Sequence, residues 1–281
     1  MTMIFVTSQS KLENVFGNDI MVVEGETTLF DKIKLELAAS EDWLISQIVG
    51  DATATSMVAD STIFNLCVTI VACDALRRAI PSLDLVLTPN GFGVVQNNNV
   101  VPASKERVER LMQSCVDRRD FAISRLYPML YKTESWQSSE QREFWARSPL
   151  QDLHLADTYK LHRENPFPSK WDALLAMREY SEGFVTRLAE RYISFEVMAR
   201  ICAAMCSDGD DAESVNDRVL GSKIVSVVVG FLNGMKFKHQ MIDAVVNHLR
   251  KNDETWKASS VAEYYAEPAF KNTKDSKGYW F

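Results

Sequence analysis

Few residues in this sequence stand at spacings that could do chemistry. Cys202 and Cys206 lie one helical turn apart and could offer two thiolates to zinc, but a tetrahedral site needs a second pair, and none stands beside them. His239 and His248 share nearly the same helical face about two and a half turns apart, too far for one ion to bridge. His154 and His162 fall in a stretch without clear periodicity. Asp208, Asp210, Asp211 and Glu213 form an acidic run that lacks the glycine-sixth, glutamate-twelfth pattern of a calcium-binding EF-hand loop. Gly91-Phe92-Gly93 has no third glycine and opens no helix, so it cannot seat a pyrophosphate. No phosphate loop, H-E-x-x-H pair or G-x-S-x-G elbow occurs. The reading is therefore no catalytic residue, no metal and no cofactor, with buried thiols, surface histidines and a solvated acidic loop. An enzyme remains open only if carboxylates or histidines converge in three dimensions.

The elements that would position these groups are mostly helices. The chain has 281 residues, 46% of them hydrophobic, with 14 Phe, 8 Tyr and 6 Trp, enough for a sizeable core. Eleven Gly and eight Pro are few for an all-β fold. A net charge of −7 argues against sequence-independent DNA binding, which depends on Lys and Arg replacing phosphate counterions. Five irregularly spaced cysteines read as reduced core residues. No apolar run reaches the roughly 20 residues needed to cross a bilayer, and the start of the chain does not resemble a secretory signal.

The centre of the pattern is Thr62 to Leu130. From Ile63 to Cys73 almost no polar face is left, which predicts a helix buried on every side, capped by Asp60 or Ser61 and ended by Pro81. Thr88-Pro89-Asn90-Gly91 between Leu85-Val86-Leu87 and Phe92-Gly93-Val94-Val95 predicts a β-hairpin within residues 84–101. A second long helix opens at Ser104 and meets Pro128, where a kink or an end is expected. Arg77-Arg78 and Asp117-Arg118-Arg119-Asp120 read as ordinary charged helix faces. Ile4-Phe5-Val6 and Ile20 to Val23 suit strands or an extended arm, and a helical pattern runs from Thr28 until Gly50 stops it. Thr133 to Pro149 reads as a connection, and later helices carry Trp171 to Met205, with a break at Ser194, then Val219 to Phe231 and Met241 to Leu249.

The expected fold is mainly α: a helical bundle with a small β-hairpin inserted between two long helices. Residues 1–136 form an N-terminal helical half and residues 137–281 a C-terminal half with an aromatic tail, the two packed as one unit or apart. Val108, Met112, Ala122, Ile123, Leu126, Tyr127 and Leu130 align with Val227, Phe231, Met241, Ile242, Val245, Val246 and Leu249, and Trp136 falls near Trp256. That echo reads either as pseudo-duplicated halves, with the hairpin matching the acidic loop, or as two unrelated amphipathic helices. Phe270, Tyr279, Trp280 and Phe281 place large aromatic area among Lys, Asn and Ser, as interface anchors do, or as a tail folded back on its own domain.

The run from Asp84 to Leu111, with its Thr-Pro-Asn-Gly turn, Val-Val pair, Asn-rich link and Ala-Ser-Lys-Glu-Arg-Val helix start, resembles an uncharacterised protein family of phages and prophages from gut Bacteroidetes. The ending Phe270 to Phe281 is similar to the aromatic ends of that group. The family looks like head-tail connector, or head-completion, proteins of tailed phages. The resemblance implies a virion structural protein, an oligomer assembling as a ring on the portal, made in the host cytoplasm and carried in the virion. It implies partners among neighbouring copies and phage portal or tail proteins, with no specific nucleic-acid binding and no membrane. On that reading Pro89, Asn90, Gly91, Phe92, Phe270, Tyr279, Trp280 and Phe281 are the partner-binding residues. The alternative is a cytoplasmic helical module encoded by a mobile element, binding a protein or regulating one.

Overall fold

A computed structural model of the chain describes residues 3–17, 27–83, 104–159, 169–235 and 239–266, and the backbone of 85–88 and 91–94. The fold is all-α. Helix α1 spans Gln9–Phe16, α2 Leu29–Lys32, α3 Lys34–Leu44, α4 Asp51–Ser56 and α5 Thr62–Ala79. Helix α6 spans Lys105–Leu130, α7 Glu134–Gln137, α8 Glu140–Ala146, α9 Lys170–Leu188 and α10 Phe195–Met205. Helix α11 spans Ala212–Leu232, α12 His239–Asn252, α13 Glu254–Lys257 and α14 Ser260–Tyr264.

Helix α5 is the central rod because its sequence leaves little face for water beyond Thr62, Asn65 and Arg78. Phe64, Cys67, Ile70, Val71, Ala72, Cys73 and Ala75 are all buried, and Ser61 caps the start by accepting the Phe64 amide at 3.3 Å. It packs against α3 on one side and α6 on the other. Helix α6 buries Cys115, Ala122, Ile123, Leu126 and Leu130, and it runs through Pro128 to end at Leu130.

The expected bundle with a β-hairpin is corrected, because the packed body is helical throughout and holds no sheet. Between α5 and α6 the backbone of Leu85–Thr88 runs antiparallel to Gly91–Val94, Leu85 opposite Val94 and Thr88 opposite Gly91. A ladder of four residues a side, with no third strand among the described residues, is below the size at which a β unit stands alone, so it adds no layer. Ile4-Phe5-Val6 is not a strand either. Its Phe5 and Val6 side chains are buried, and the Ile4 and Phe5 amides donate to the Glu41 carboxylate instead of a neighbouring strand. Residues 20–23 lie outside the described residues.

One order of elements occurs twice. Helix α3 ends in a wide turn in which the Gly50 amide donates to the Ile45 carbonyl five residues back, at 2.8 Å. Helix α9 ends the same way, with Ser194 donating to Ala189 at 2.9 Å. Gly50 and Ser194 then both adopt left-handed φ, 81° and 76°, and each starts the next helix, α4 or α10. A long helix follows each time, α5 or α11, then a second, α6 or α12, and then two short ones. The Trp136 indole of α7 donates to the Ile48 carbonyl at 2.8 Å, and the Trp256 indole of α13 donates to the Tyr192 carbonyl at 2.9 Å. Both acceptors are the fourth residue of the wide turn.

This pairing keeps Ala122, Ile123, Leu126 and Leu130 of α6 opposite Met241, Ile242, Val245 and Leu249 of α12. It corrects the rest of the sequence alignment, since Val227 and Phe231 lie in α11 and not α12. The acidic loop joins α10 to α11, so its counterpart is the Met57–Ser61 link and not the hairpin segment. Apolar periods of two amphipathic helices agree in several registers, which is why the sequence alone misplaces the match.

Candidate functional site

Of the charged residues expected on ordinary helix faces, Asp117 and Arg118 are exposed, whereas Arg119 and Asp120 are buried and join Asp74, Arg77 and Arg78 in a polar cluster. Asp74 on α5 has no exposed surface; one carboxylate oxygen accepts from Arg119 at 2.8 Å and Arg77 at 2.9 Å, the other from Arg78 at 2.6 Å and the Ser40 hydroxyl at 2.9 Å. Burial pushes this carboxyl up, but the Arg77 hydrogen bond and the charges of Arg119 and Arg78 outweigh it and hold the group at about 2. Arg119, 2% exposed, also donates to Ser169 at 2.7 Å and to Asp120 at 3.2 Å. The second Asp120 oxygen accepts the Lys170 amide, so this carboxylate on α6 caps the start of α9 beside the Ser169 cap. Burial pushes the Asp120 carboxyl up despite the Arg119 charge.

The second unit has its own smaller cluster. Arg200 on α10 bonds both oxygens of Asp217 on α11, at 2.8 and 3.1 Å, and reaches Asp253, the cap of α13. Between the units, the buried Arg178 of α9 donates to the carbonyls of Phe144, Trp145 and Leu150 and lies 4.6 Å from the Trp145 ring centre. Tyr127 stacks on Trp145 at 4.0 Å and Trp171 at 6.1 Å in the same seam.

These groups are suited to holding helices, not to turning over a substrate. Both oxygens of Asp74, Asp120, Asp217 and Asp253 accept from protein donors, and an arginine has no lone pair to offer as a base. Arg119 and Asp120 escaped detection because their charges suggest a solvated face. Their register carried the signal, since Cys115, Arg119, Ala122, Leu126 and Leu130 continue one stripe.

On the outer side of α6 lies an open groove. Its upper part, about 450 Å³, runs between α6 and the 3₁₀ stretch Leu153–Thr158, with Asp117, Phe121, Asp157 and Lys170 along it. Its lower part, about 400 Å³, shares Ser124, Leu153 and His154 with the upper and continues past Pro128 and Asp152 to Met205. Phe121 is 64% exposed there. Asp157 pairs with Lys170 at 2.6 Å, and Asp152 accepts the His154 amide at 2.9 Å.

Of the partner residues expected from the sequence, Pro89, Asn90, Phe270, Tyr279, Trp280 and Phe281 lie outside the described residues, and Gly91 and Phe92 are described only as backbone. Cys206 donates to the Gln151 side chain, whose amide donates to the Cys202 carbonyl. His248 meets Asn216 at 3.0 Å, and His162 is outside the described residues. In the acidic loop, Asp208 pairs with Lys132 at 2.8 Å and Asp211 caps α11. Among the described residues no three His, Cys, Asp or Glu side chains gather as a metal site, and no helix is long and apolar enough to cross a membrane.

Residues 12–144 match DUF6712, a family of unknown function. The match takes in the end of α1, α2 to α7 and all but the end of α8, so it covers the first repeated unit and stops before the second. No curated protein and no solved structure matches the chain.

Proposed function

We propose that this protein is a non-enzymatic structural subunit acting through contacts with other proteins, and specifically a head-tail connector or adaptor subunit that assembles on the portal of a tailed phage or prophage particle. The observation that carries the reading is the use made of Asp74, Asp120, Asp217 and Asp253. All four spend both oxygens on fixing helices. The resemblance of Asp84 to Leu111 to phage and prophage proteins supports the place in the particle. An acidic chain also suits a wall past which DNA slides without sticking.

The open groove with its exposed Phe121 favours one other reading, a helical protein-binding module encoded by a mobile element. Two measurements separate them. Mass spectrometry of purified particles, with co-purification of the portal protein from the same element, is expected to find this chain in fixed stoichiometry with the portal. Its absence from particles together with a stable monomer that ignores the portal would overturn the connector reading.

A further inference from the structure

We infer that the groove along α6 is the receptor for the aromatic segment 268–281 of a neighbouring copy of this chain. The inference deepens the reading of the protein as an assembling subunit and rests on it. The groove presents Asp117, Asp152 and Asp157 against one lysine, Lys170, which Asp157 already pairs, so its free charge is negative. Segment 268–281 carries Lys271, Lys274 and Lys277 against one acid, Asp275. Opposite charges of this kind steer and align an incoming segment.

The apolar parts correspond as well. Phe121, Pro128, Leu153 and Met205 give the groove an apolar floor and rim between the aspartates. Phe270, Tyr279, Trp280 and Phe281 are the residue types that anchor interfaces by filling such surfaces.

Placement favours a neighbour over the same chain. The last described turn before the segment is fixed at the far end of α9, where the Tyr265 hydroxyl donates to the Arg191 carbonyl at 3.2 Å and its ring packs on Trp256. The upper part of the groove lies at the opposite end, beside Lys170. At about 1.5 Å per residue the helix separates the two ends by roughly 30 Å, beyond the roughly 20 Å that the chain from Tyr265 to Lys271 can span, so Phe270 and Lys271 cannot enter the upper groove of their own chain. A donor at one end and an acceptor at the other is the arrangement a head-to-tail ring requires, because each copy then offers two different faces.

The test uses the full chain, mixed in equal parts from natural-isotope and nitrogen-15 preparations, with and without portal protein, and treated with a carbodiimide that joins lysine to nearby carboxylates. Mixed-isotope links from Lys271, Lys274 or Lys277 to Asp117, Asp152 or Asp157 are expected. Phe121→Ser, at an exposed position, and Trp280→Ala are expected to cut those links about tenfold while circular dichroism stays unchanged. Links confined to single-isotope pairs, links landing elsewhere, or links indifferent to Phe121→Ser would each overturn the assignment. Portal binding without these links would reject the groove alone, whereas the links without portal binding would keep the contact and reject the connector.

Discussion

The Trp256 indole donates to the carbonyl of Tyr192 at 2.9 Å, closing the wide turn at the end of α9 from a helix far along the chain. Trp256→Phe keeps most of the ring and removes the donor, leaving a carbonyl without its partner. A loss of about 1–3 kcal/mol is expected in denaturant unfolding. Trp136→Phe, which frees the Ile48 carbonyl in the first unit, is expected to cost a similar amount. Equal stability of both variants and the parent would show that these bonds do not hold the turns.

Acid should reach the Asp74 cluster late. The folded carboxyl sits at about 2 against an ordinary 3.8, so its stabilisation is complete above 3.8 and fades as pH falls through about 2. Asp120, pushed up by burial, acts with the opposite sign and offsets part of the effect. Asp74→Asn is expected to flatten the decline between those values. At neutral pH it should cost about 3–5 kcal/mol, because Arg119 stays buried after losing a charged partner. An acid limb that keeps its slope in Asp74→Asn would assign the pH dependence to other carboxylates.

Gly50 and Ser194 occupy the same left-handed position in the two units, and only one of them is glycine. Ser194→Gly relieves a conformation costing about 1–3 kcal/mol and gives up a cap to Val197 worth only a few tenths against glycine, so a gain of about 1 kcal/mol is expected. The reverse change, Gly50→Ser, brings a Cβ to 2.7 Å from the Gln141 side chain in addition to the strain. It should destabilise by about 2 kcal/mol. Thermal unfolding of the two variants should move in opposite directions.

Arg178 is tied to the carbonyls of Phe144 and Trp145 in the other unit and of Leu150 in the link, and burial holds its guanidinium below the ordinary range. Lysine keeps a charge but not the planar fork that spans separate acceptors. Arg178→Lys is therefore expected to lose about 2–4 kcal/mol. Calorimetry would read it; a change below half a kcal/mol would mean the carbonyls find other donors.

The free thiols should be silent in the folded protein. Burial pushes Cys73, Cys202 and Cys206 up to about 12, and Cys67 is raised further still. At pH 8 a thiol-exchange reagent is expected to label these four only as fast as the helices open, with rates that follow unfolding free energy. Rapid labelling of any of them in native buffer would contradict this burial.

Much of the helical scaffold was legible because α5, α6 and α12 carry apolar residues at a helical period, and because Gly50 and Ser194 punctuate long runs. The two wide turns were not legible, since an extra residue in a turn leaves the apolar pattern almost unchanged. Trp136 and Trp145 read as isolated aromatics in a polar connector, yet they are buried pillars at 0% and 1% exposure. Short helices such as α7 and α8 owe their existence to those tertiary contacts and not to local propensity. The hairpin segment has the turn chemistry of a β unit, but nothing in a local turn signal says whether a sheet will join the core. The groove was invisible for a simpler reason: Phe121 and Leu153 meet only through the fold.

The seam also gives the molecule an optical signature. Trp43, Trp145 and Trp171 touch in series, with Trp136 joined to them through Tyr127, while Trp256 stands apart beside Tyr265. Chromophores that close exchange excitation, so four of these indoles emit as one coupled antenna for the junction between the repeats. Among the described indoles, Trp256 alone lies outside this group and reports on the second repeat. Emission recorded after replacing both Trp256 and Trp280 would thus follow the parting of the two repeats without any added dye.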